Sequence, residues 1–497
     1  MLNMKRNLRG KPIIVLILAA ILLGAAVLRL YDLSEESLWL DECFTLDYSS
    51  QPIDDLAETL KKDVHPIGYY LPQHILIDYF GTGEISLRIL SVFFGVLSIY
   101  LTYLLGKKFF SWKEGLLAAF FMAISYTSIL YSQEAKMYSM FGAFFLLSLI
   151  SFIRFLERPS YLNLLFFSFS IALLLYTHII GLIILACFIL FYFTGYLFKY
   201  KKTDRVSQTP SFLQNIFFSR RFFLALLLVF LLYLPWFKIL MLYQLPRLYQ
   251  SLGEKFVEKL GINLLPFFSA AAVILGLLSF AGLYFYLKNK INLDKFYSGS
   301  KRLFSFFNHD KIIFVLLLFL ILFDFLASRY FFSSVHIIRF SFFLLPLGYI
   351  LLSRILLRMR RNYLANIIFA LFLISTSLEL YAYYHLDSKE QFREAAEYIE
   401  NHASAADVLF LHRATIAKLC FDYYYSGNVE EERLITPGHD DYLLTERTSG
   451  KRDAYLILSH NYHTKDYFKQ KLDSLYEFKE KKKFIGVTIY KYEVSES

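Results

Sequence analysis

The chain has 497 residues, of which 57% are hydrophobic, 19% aromatic and only 19% charged, with a formal net charge of +10. Soluble domains carry nearer one quarter charged residues, and apolar runs of about 20 residues are what crosses a hydrocarbon core of about 30 Å. A cytosolic enzyme, a disordered protein and a secreted disulfide scaffold are thereby excluded.

Apolar runs bounded by charge predict eleven spans, beginning at 12–31, 86–106, 115–132, 137–153, 160–177 and 179–198. The rest fall at 222–237, 265–287, 312–328, 340–357 and 363–385. The first offers no small-residue cleavage site in Arg29-Leu30-Tyr31-Asp32 and reads as a retained anchor. With the N-terminus inside, the cytoplasmic segments hold 25 Lys and Arg and the opposite loops 9, so the positive-inside rule puts the C-terminus outside. The positive total is therefore topogenic, and nucleic acid is not an expected partner.

The first external loop, residues 32–85, departs from that pattern with 12 Asp or Glu against Lys61 and Lys62 alone. Pro52 suits the first turn of a helix over Ile53 to Lys62, and His65 to Phe80 mixes apolar and aromatic positions as an interfacial helix does. Residues 1–385 form the transmembrane part. From residue 386 the composition turns mixed, with 16 basic and 20 acidic residues through Ser497, and an external α/β domain is expected over 386–497. Ser388 to His402 and Asp466 to Leu475 have helical spacing, whereas Val408 to Leu411, Ala454 to Leu458 and Phe484 to Tyr490 read as strands. Lys479 to Lys483 reads as a solvated turn. Cys43, Cys187 and Cys420 make neither a disulfide framework nor a metal knuckle, with a Cys43 to Cys420 bridge as the minority alternative.

Chemistry-bearing residues gather on the external side. Asp41-Glu42 follows the first span among Leu38, Trp39, Leu40, Cys43 and Phe44. A carboxylate desolvated there is suited to take a proton from an alcohol or to bind a cation; the alternative is that both acids belong to a solvated loop. His65, between Asp63 and Pro66, is able to donate to a phosphate, ligate a metal or cap a helix. Tyr131-Ser132-Gln133-Glu134-Ala135-Lys136-Met137-Tyr138 is a charged hairpin with almost no loop; a Glu134 to Lys136 structural pair and an active-site role are both open. His178 and Arg339 fall at external span ends, where Arg339 either snorkels or binds phosphate. Asp324 and Glu379 stand apart and read as helix-to-helix hydrogen-bonding groups.

In their order, Asp41-Glu42, His65-Pro66-Ile67-Gly68-Tyr69-Tyr70, Gly81 to Glu84 with Arg88, the hairpin, Tyr176-Thr177-His178, Leu234-Pro235-Trp236 and Phe392-Arg393-Glu394-Ala395-Ala396 resemble the GT-C glycosyltransferases. The likeness is to family 39, protein O-mannosyltransferase-like and aminoarabinose-transferase-like prokaryotic members. It implies a polytopic α-helical fold of about 11 transmembrane helices and transfer of a sugar, with inversion, from a polyprenyl-phosphate carrier to a protein, lipid or glycan acceptor at the external face of the cell membrane. Asp41 maps to the general base and Glu42 to a residue orienting the acceptor or the base. His65, Tyr69, Glu134, Lys136, Tyr138, His178 and Arg339 map to donor-phosphate or acceptor binding. A divalent metal is a further expectation, with Asp41, Asp63 and His65 as its ligands. Ile67 stands where a second Pro is usual and Lys136 where Arg is usual, which exchanges a bidentate fork for a point charge. The rival class is a lipid-linked glycan transporter or flippase, for which inverted repeats and midplane charges are expected and not found.

Overall fold

The computed structural model of the chain describes residues 2–203, 220–247, 342–360, 362–412, 414–459 and 465–494. Helices α1 (Leu2–Leu30), α5 (Glu84–Phe109), α6 (Trp112–Ile124), α7 (Tyr126–Ser132), α8 (Tyr138–Glu157), α9 (Tyr161–Thr177) and α10 (Gly181–Thr203) build the first part of a bundle. It is completed by α11 (Arg220–Ile239), a π-helical turn Leu240–Gln244, α12 (Leu345–Arg358) and α13 (Asn362–His385). Among the described residues five helices are long and apolar enough to cross a membrane, or six if the bent pair α6–α7 counts as one span. The expected spans at 265–287 and 312–328, with Asp324 and Arg339, lie outside the described residues.

The expected span at 115–132 is broken, with α6 and α7 meeting at 62°. Ser125 is extended at the junction and its hydroxyl accepts the Ser128 N–H, starting a new helix and leaving carbonyls free at the end of α6. Arg29, buried at the end of α1, supplies the missing donors: its guanidinium reaches the Ala123 and Met122 carbonyls at 3.0 and 3.2 Å and the Ser128 and Ser132 hydroxyls at 2.8 and 3.1 Å. A charge at that depth persists because every donor direction meets an oxygen.

The acidic loop over residues 32–85 carries three helices, α2 (Leu40–Ser49), α3 (Ile53–Leu60) and α4 (Tyr70–Phe80). Helix α2 was not expected from the sequence, and the helix expected from His65 begins only at Tyr70. Pro66 and the close approach of Gly68 to the chain at Tyr176 keep the regular helix from starting at His65: the Gly68 N–H donates to the Tyr176 carbonyl at 2.8 Å, and a Cβ at Gly68 would lie 2.5 Å from that oxygen.

Beyond α14 (Phe392–His402) the chain folds into a five-stranded sheet of order β2-β1-β3-β5-β4. Its elements are β1 (Val408–His412), α15 (Ala414–Tyr424), β2 (Glu430–Leu434), α16 (Asp441–Glu446), β3 (Asp453–Ser459), α17 (Lys465–Leu475), β4 (Glu477–Lys483) and β5 (Val487–Glu493). The strands β2, β1 and β3 are parallel, and β5 and β4 add antiparallel. Residues Lys479 to Lys483 thus form an exposed edge strand rather than the expected turn; a row of lysines is what keeps such an edge from pairing further. Leu409, Leu411, Tyr455 and Ile457 face α14 and α15, and the same apolar cluster continues into Leu38, Cys43, Leu46, Leu87 and Ala135. The sheet region shares one core with the acidic loop. Cys43 and Cys420 form a disulfide with Cα atoms 5.5 Å apart, which makes the minority alternative the observed one.

Candidate active site

Asp41 and Glu42 occupy the first turn of α2, where successive side chains point about 100° apart, so the two acids take different environments. Glu42 faces inward and is fully buried. Its oxygens take the Arg88 fork at 2.9 and 2.7 Å, and Oε1 also accepts the Ala135 N–H at 2.8 Å. Burial alone would raise the Glu42 pKa, but Arg88, Lys389 and these hydrogen bonds reverse that and hold it down at about 2. Arg88 spends its remaining donors on the carbonyls of Leu33, Glu36 and Ser37 at 2.7, 2.9 and 3.2 Å. This pair fastens the loop and the Glu134–Lys136 hairpin to α5. Asp41 is half-buried on the other face of α2.

Around Asp41 stand the groups of the hairpin and of the loop's end. The Lys136 ammonium is buried, which lowers its pKa, while Asp41, Asp63, Glu42 and Glu134 act on it in the opposite direction. Asp63 Oδ1 accepts from His65 Nδ1 at 2.8 Å and from the Val64 and His65 amides at 2.5 and 3.2 Å. Burial would raise its carboxyl, yet His65 and Lys136 carry it well below the usual carboxylate range. The buried Tyr70 hydroxyl lies within the fields of Asp63, Tyr48, Asp41 and Tyr138 and has no hydrogen-bond partner among the described residues. One pocket of charge therefore joins Asp41, Lys136, Asp63 and His65, with Tyr48, Tyr70 and Tyr138 about it.

His178, at the end of α9, packs edge-on to His65 with ring centroids 5.6 Å apart. Burial, and secondarily His65, push its pKa down to about 3, so it is a neutral imidazole whose Nδ1 accepts the Ile180 N–H at 3.2 Å. Tyr69 is fully buried, its hydroxyl shared with Ser91 at 2.9 Å, and Ser91 in turn donates to the Lys136 carbonyl at 3.0 Å. Glu42 and Tyr69 thus hold the hairpin and loop in place. Glu134 is buried beside Lys136.

Several supporting residues were not singled out from the sequence. The π-helical turn after α11 brings Gln244 under the loop, where its amide donates to the His65 carbonyl at 3.0 Å and accepts from Trp236 at 3.1 Å. Pro235 within α11 was a sequence cue to irregularity there, since proline removes a helical donor. Lys389 and Glu390, from the segment leading into α14, reach α2 itself. No group of three or more His, Cys, Asp or Glu able to hold a metal ion is found among the described residues, and Asp63 and His65 satisfy each other. The expected ligands Asp41, Asp63 and His65 thus do not form such a group among the described residues.

Residues 64–204 match the model of the family described as dolichyl-phosphate-mannose-protein mannosyltransferase, less than a third of the chain. No curated protein matches the sequence. Among solved structures, the chain is similar to the archaeal oligosaccharyltransferase AglB from Archaeoglobus fulgidus in complex with an inhibitory peptide and a dolichol-phosphate. The identity there is 12%, the match covers 97% of this chain and 74% of that one, and the TM-score is 0.53. The Archaeoglobus fulgidus oligosaccharyltransferase in complex with Zn and sulfate gives 13% identity, 95% and 72% coverage and a TM-score of 0.51. ArnT from Cupriavidus metallidurans bound to undecaprenyl phosphate gives 12% identity, 96% and 97% coverage and a TM-score of 0.46. At these identities the oligosaccharyltransferase likeness is one of fold, and the chain has the GT-C architecture that its motif order led us to expect.

Proposed function

We propose that the chain is an integral membrane glycosyltransferase that moves a sugar from a polyprenyl-phosphate donor to an acceptor hydroxyl or amine at the extracytoplasmic face. The observation that carries this reading is the meeting of a half-buried carboxylate, Asp41, with the buried cation Lys136 and the Asp63–His65 pair. Transfer needs a base at the acceptor and a positive charge at the departing phosphate, and these groups supply both.

In this reading Asp41 takes the acceptor proton as the acceptor forms its bond to the anomeric carbon. The bond from that carbon to the phosphate oxygen breaks on the opposite side, so the configuration inverts. The charge left on the lipid phosphate falls to Lys136, with His65 as a donor and neutral His178 beside it. Glu42 orients the base by fixing α2, Tyr69 supports the site through Ser91 and the Lys136 carbonyl, and donor or acceptor binding is assigned to Glu134, Tyr138 and, outside the described residues, Arg339.

Eleven spans with a cytoplasmic N-terminus, and an external domain over residues 386–497, belong to the same proposal. The 25 to 9 distribution of Lys and Arg supports that orientation. The Cys43–Cys420 disulfide supports it as well, since such bonds persist in oxidising compartments. Purified protein given a polyprenyl-phosphate sugar and an acceptor extract should release free lipid phosphate, and Asp41→Asn should stop that release while the protein stays folded. Transport of the lipid with no lipid phosphate formed would favour the transporter reading instead.

A further inference from the structure

The segment between α13 and α14, residues 386–391, runs beneath the start of α2 as a strap. Glu36 Oε1 accepts the Ser388 amide and hydroxyl at 2.6 and 3.0 Å and the Lys389 amide at 3.1 Å. Ser37 Oγ donates to the Glu390 carbonyl at 2.6 Å. The first turn of any helix leaves amides without intrahelical partners, and the residue that precedes α2, Trp39, offers no side-chain cap. That cap comes from about 350 residues away: the Leu40 N–H donates to Glu390 Oε2 at 3.0 Å. A carboxylate at this end also complements the positive pole of the helix. One residue earlier, the buried Lys389 ammonium lies 3.6 Å from Glu42 Oε2 and 3.3 Å from the Gln133 carbonyl, on the side of the Glu42–Arg88 pair.

The far side of the strap is held by the sheet. The Gln391 N–H donates to the Ile485 carbonyl and its side chain accepts the Ile485 N–H, both at 2.9 Å. Gly486 follows with φ of +72°, and a Cβ there would lie 2.6 Å from Glu390 Cγ. The turn between β4 and β5 is thus shaped around the Glu390 side chain, and the disulfide at Cys43 ties the same helix to α15.

We propose that Glu390 and Lys389 are positioning residues for the transfer reaction: the strap caps and charges the helix that carries Asp41, so the base is in register only while the sheet region is docked. This inference rests on the glycosyltransferase reading. Neither side chain touches the reacting atoms; both act through α2.

The test uses the full chain in lipid nanodiscs with Glu390→Ala and Glu390→Gln, the second keeping an oxygen that can accept the Leu40 N–H. Hydrogen exchange is followed in the peptide over residues 39–44, alongside kcat and donor KM for lipid-phosphate release. Loss of a charged cap predicts about tenfold faster exchange at α2 and a comparable fall in kcat for Glu390→Ala, with donor KM within about twofold. Glu390→Gln should recover most of both. Unchanged exchange in Glu390→Ala overturns the proposal, as does faster exchange with wild-type kcat, or a loss carried by KM alone. If Glu390→Ala does not assemble, Glu390→Asp, which retracts the carboxylate by one methylene, is read by the same criteria. A wild-type chain that releases no lipid phosphate overturns the transferase reading, whereas the cap is judged by exchange alone.

Discussion

Replacing Arg88 with Met tests the buried pair on which the geometry of the site depends. Arg88 uses all of its nitrogens: two bonds to Glu42 at 2.9 and 2.7 Å, and three to the Leu33, Glu36 and Ser37 carbonyls. Met fills much of the volume of the stem and supplies none of these donors. Glu42 would keep only the Ala135 amide at 2.8 Å and the Lys389 ammonium at 3.6 Å. Leaving one partner of a buried pair uncompensated costs about 3–5 kcal/mol. The cost falls on the loop, because the other ends of these bonds all lie in residues 33–42. Hydrogen exchange over α2 should therefore accelerate by roughly 10³-fold, at 1.36 kcal/mol per decade. Converting the pair to Arg88→Met with Glu42→Leu removes the stranded charge, and the double variant should be more protected than Arg88→Met alone. Exchange in Arg88→Met within about fivefold of wild type would mean the pair is worth no more than an exposed one, about 1 kcal/mol, and would refute the reasoning.

Acid should act on the same loop: the folded-state Glu42 pKa of about 2 lies below the ordinary 4.5, so its contribution is fully present above pH 4.5 and is lost as pH falls through about 2. Protection of α2 from exchange, corrected for the intrinsic rate, should follow that window, and a flat response in it would count against the assignment. Burial lowers the Lys136 pKa from its ordinary 10.5, so the alkaline decline of transfer should begin below that value; Lys136→Arg should move it upward, and an unmoved decline would exclude Lys136 as the titrating group. Cys420→Ser should leave the protein inserted in the membrane but weaken the docking of the sheet region by about 2–4 kcal/mol, read as faster exchange across α2 and α15; unchanged exchange would leave the disulfide without a positioning role. Cysteine introduced at the exposed Ser449 should react with an impermeant reagent from outside intact cells, and protection until lysis would invert the topology.

The apolar helices were legible because lipid demands long uninterrupted runs, and β1, β3 and β5 because buried strands concentrate branched and aromatic residues. What escaped lacks a local trace. The strand β2 reads Glu-Glu-Glu-Arg-Leu and β4 is a run of lysines and glutamates, as edge strands exposed to water can be. Helix α2 has a poor local start, and its cap belongs to Glu390. The bend between α6 and α7 shows in sequence only as Ser125, while the residue that stabilises it, Arg29, sits at the end of another helix. Glu42 meets Arg88 46 residues away and Cys43 meets Cys420 377 residues away, and no periodicity connects such pairs.

Charge counting identified the acidic loop but treated Asp41 and Glu42 as one feature. Adjacent side chains on a helix point about 100° apart, and the first turn of α2 buries Glu42 fully while Asp41 stays half-buried. The inward acid is matched with Arg88 and Lys389, and the outward one is left toward Lys136. A buried carboxylate held at about 2 is a poor base at neutral pH, because it has little affinity for a proton. The same bonds make it a good anchor, since moving it would strand a charge in a low-dielectric interior. In the proposed reaction anchoring and proton transfer are thus separated by one residue, and exchanging the two side chains should fail at both positions: Asp at 42 falls one methylene short of the Arg88 fork, and Glu at 41 carries its carboxylate one methylene past the place of Asp41.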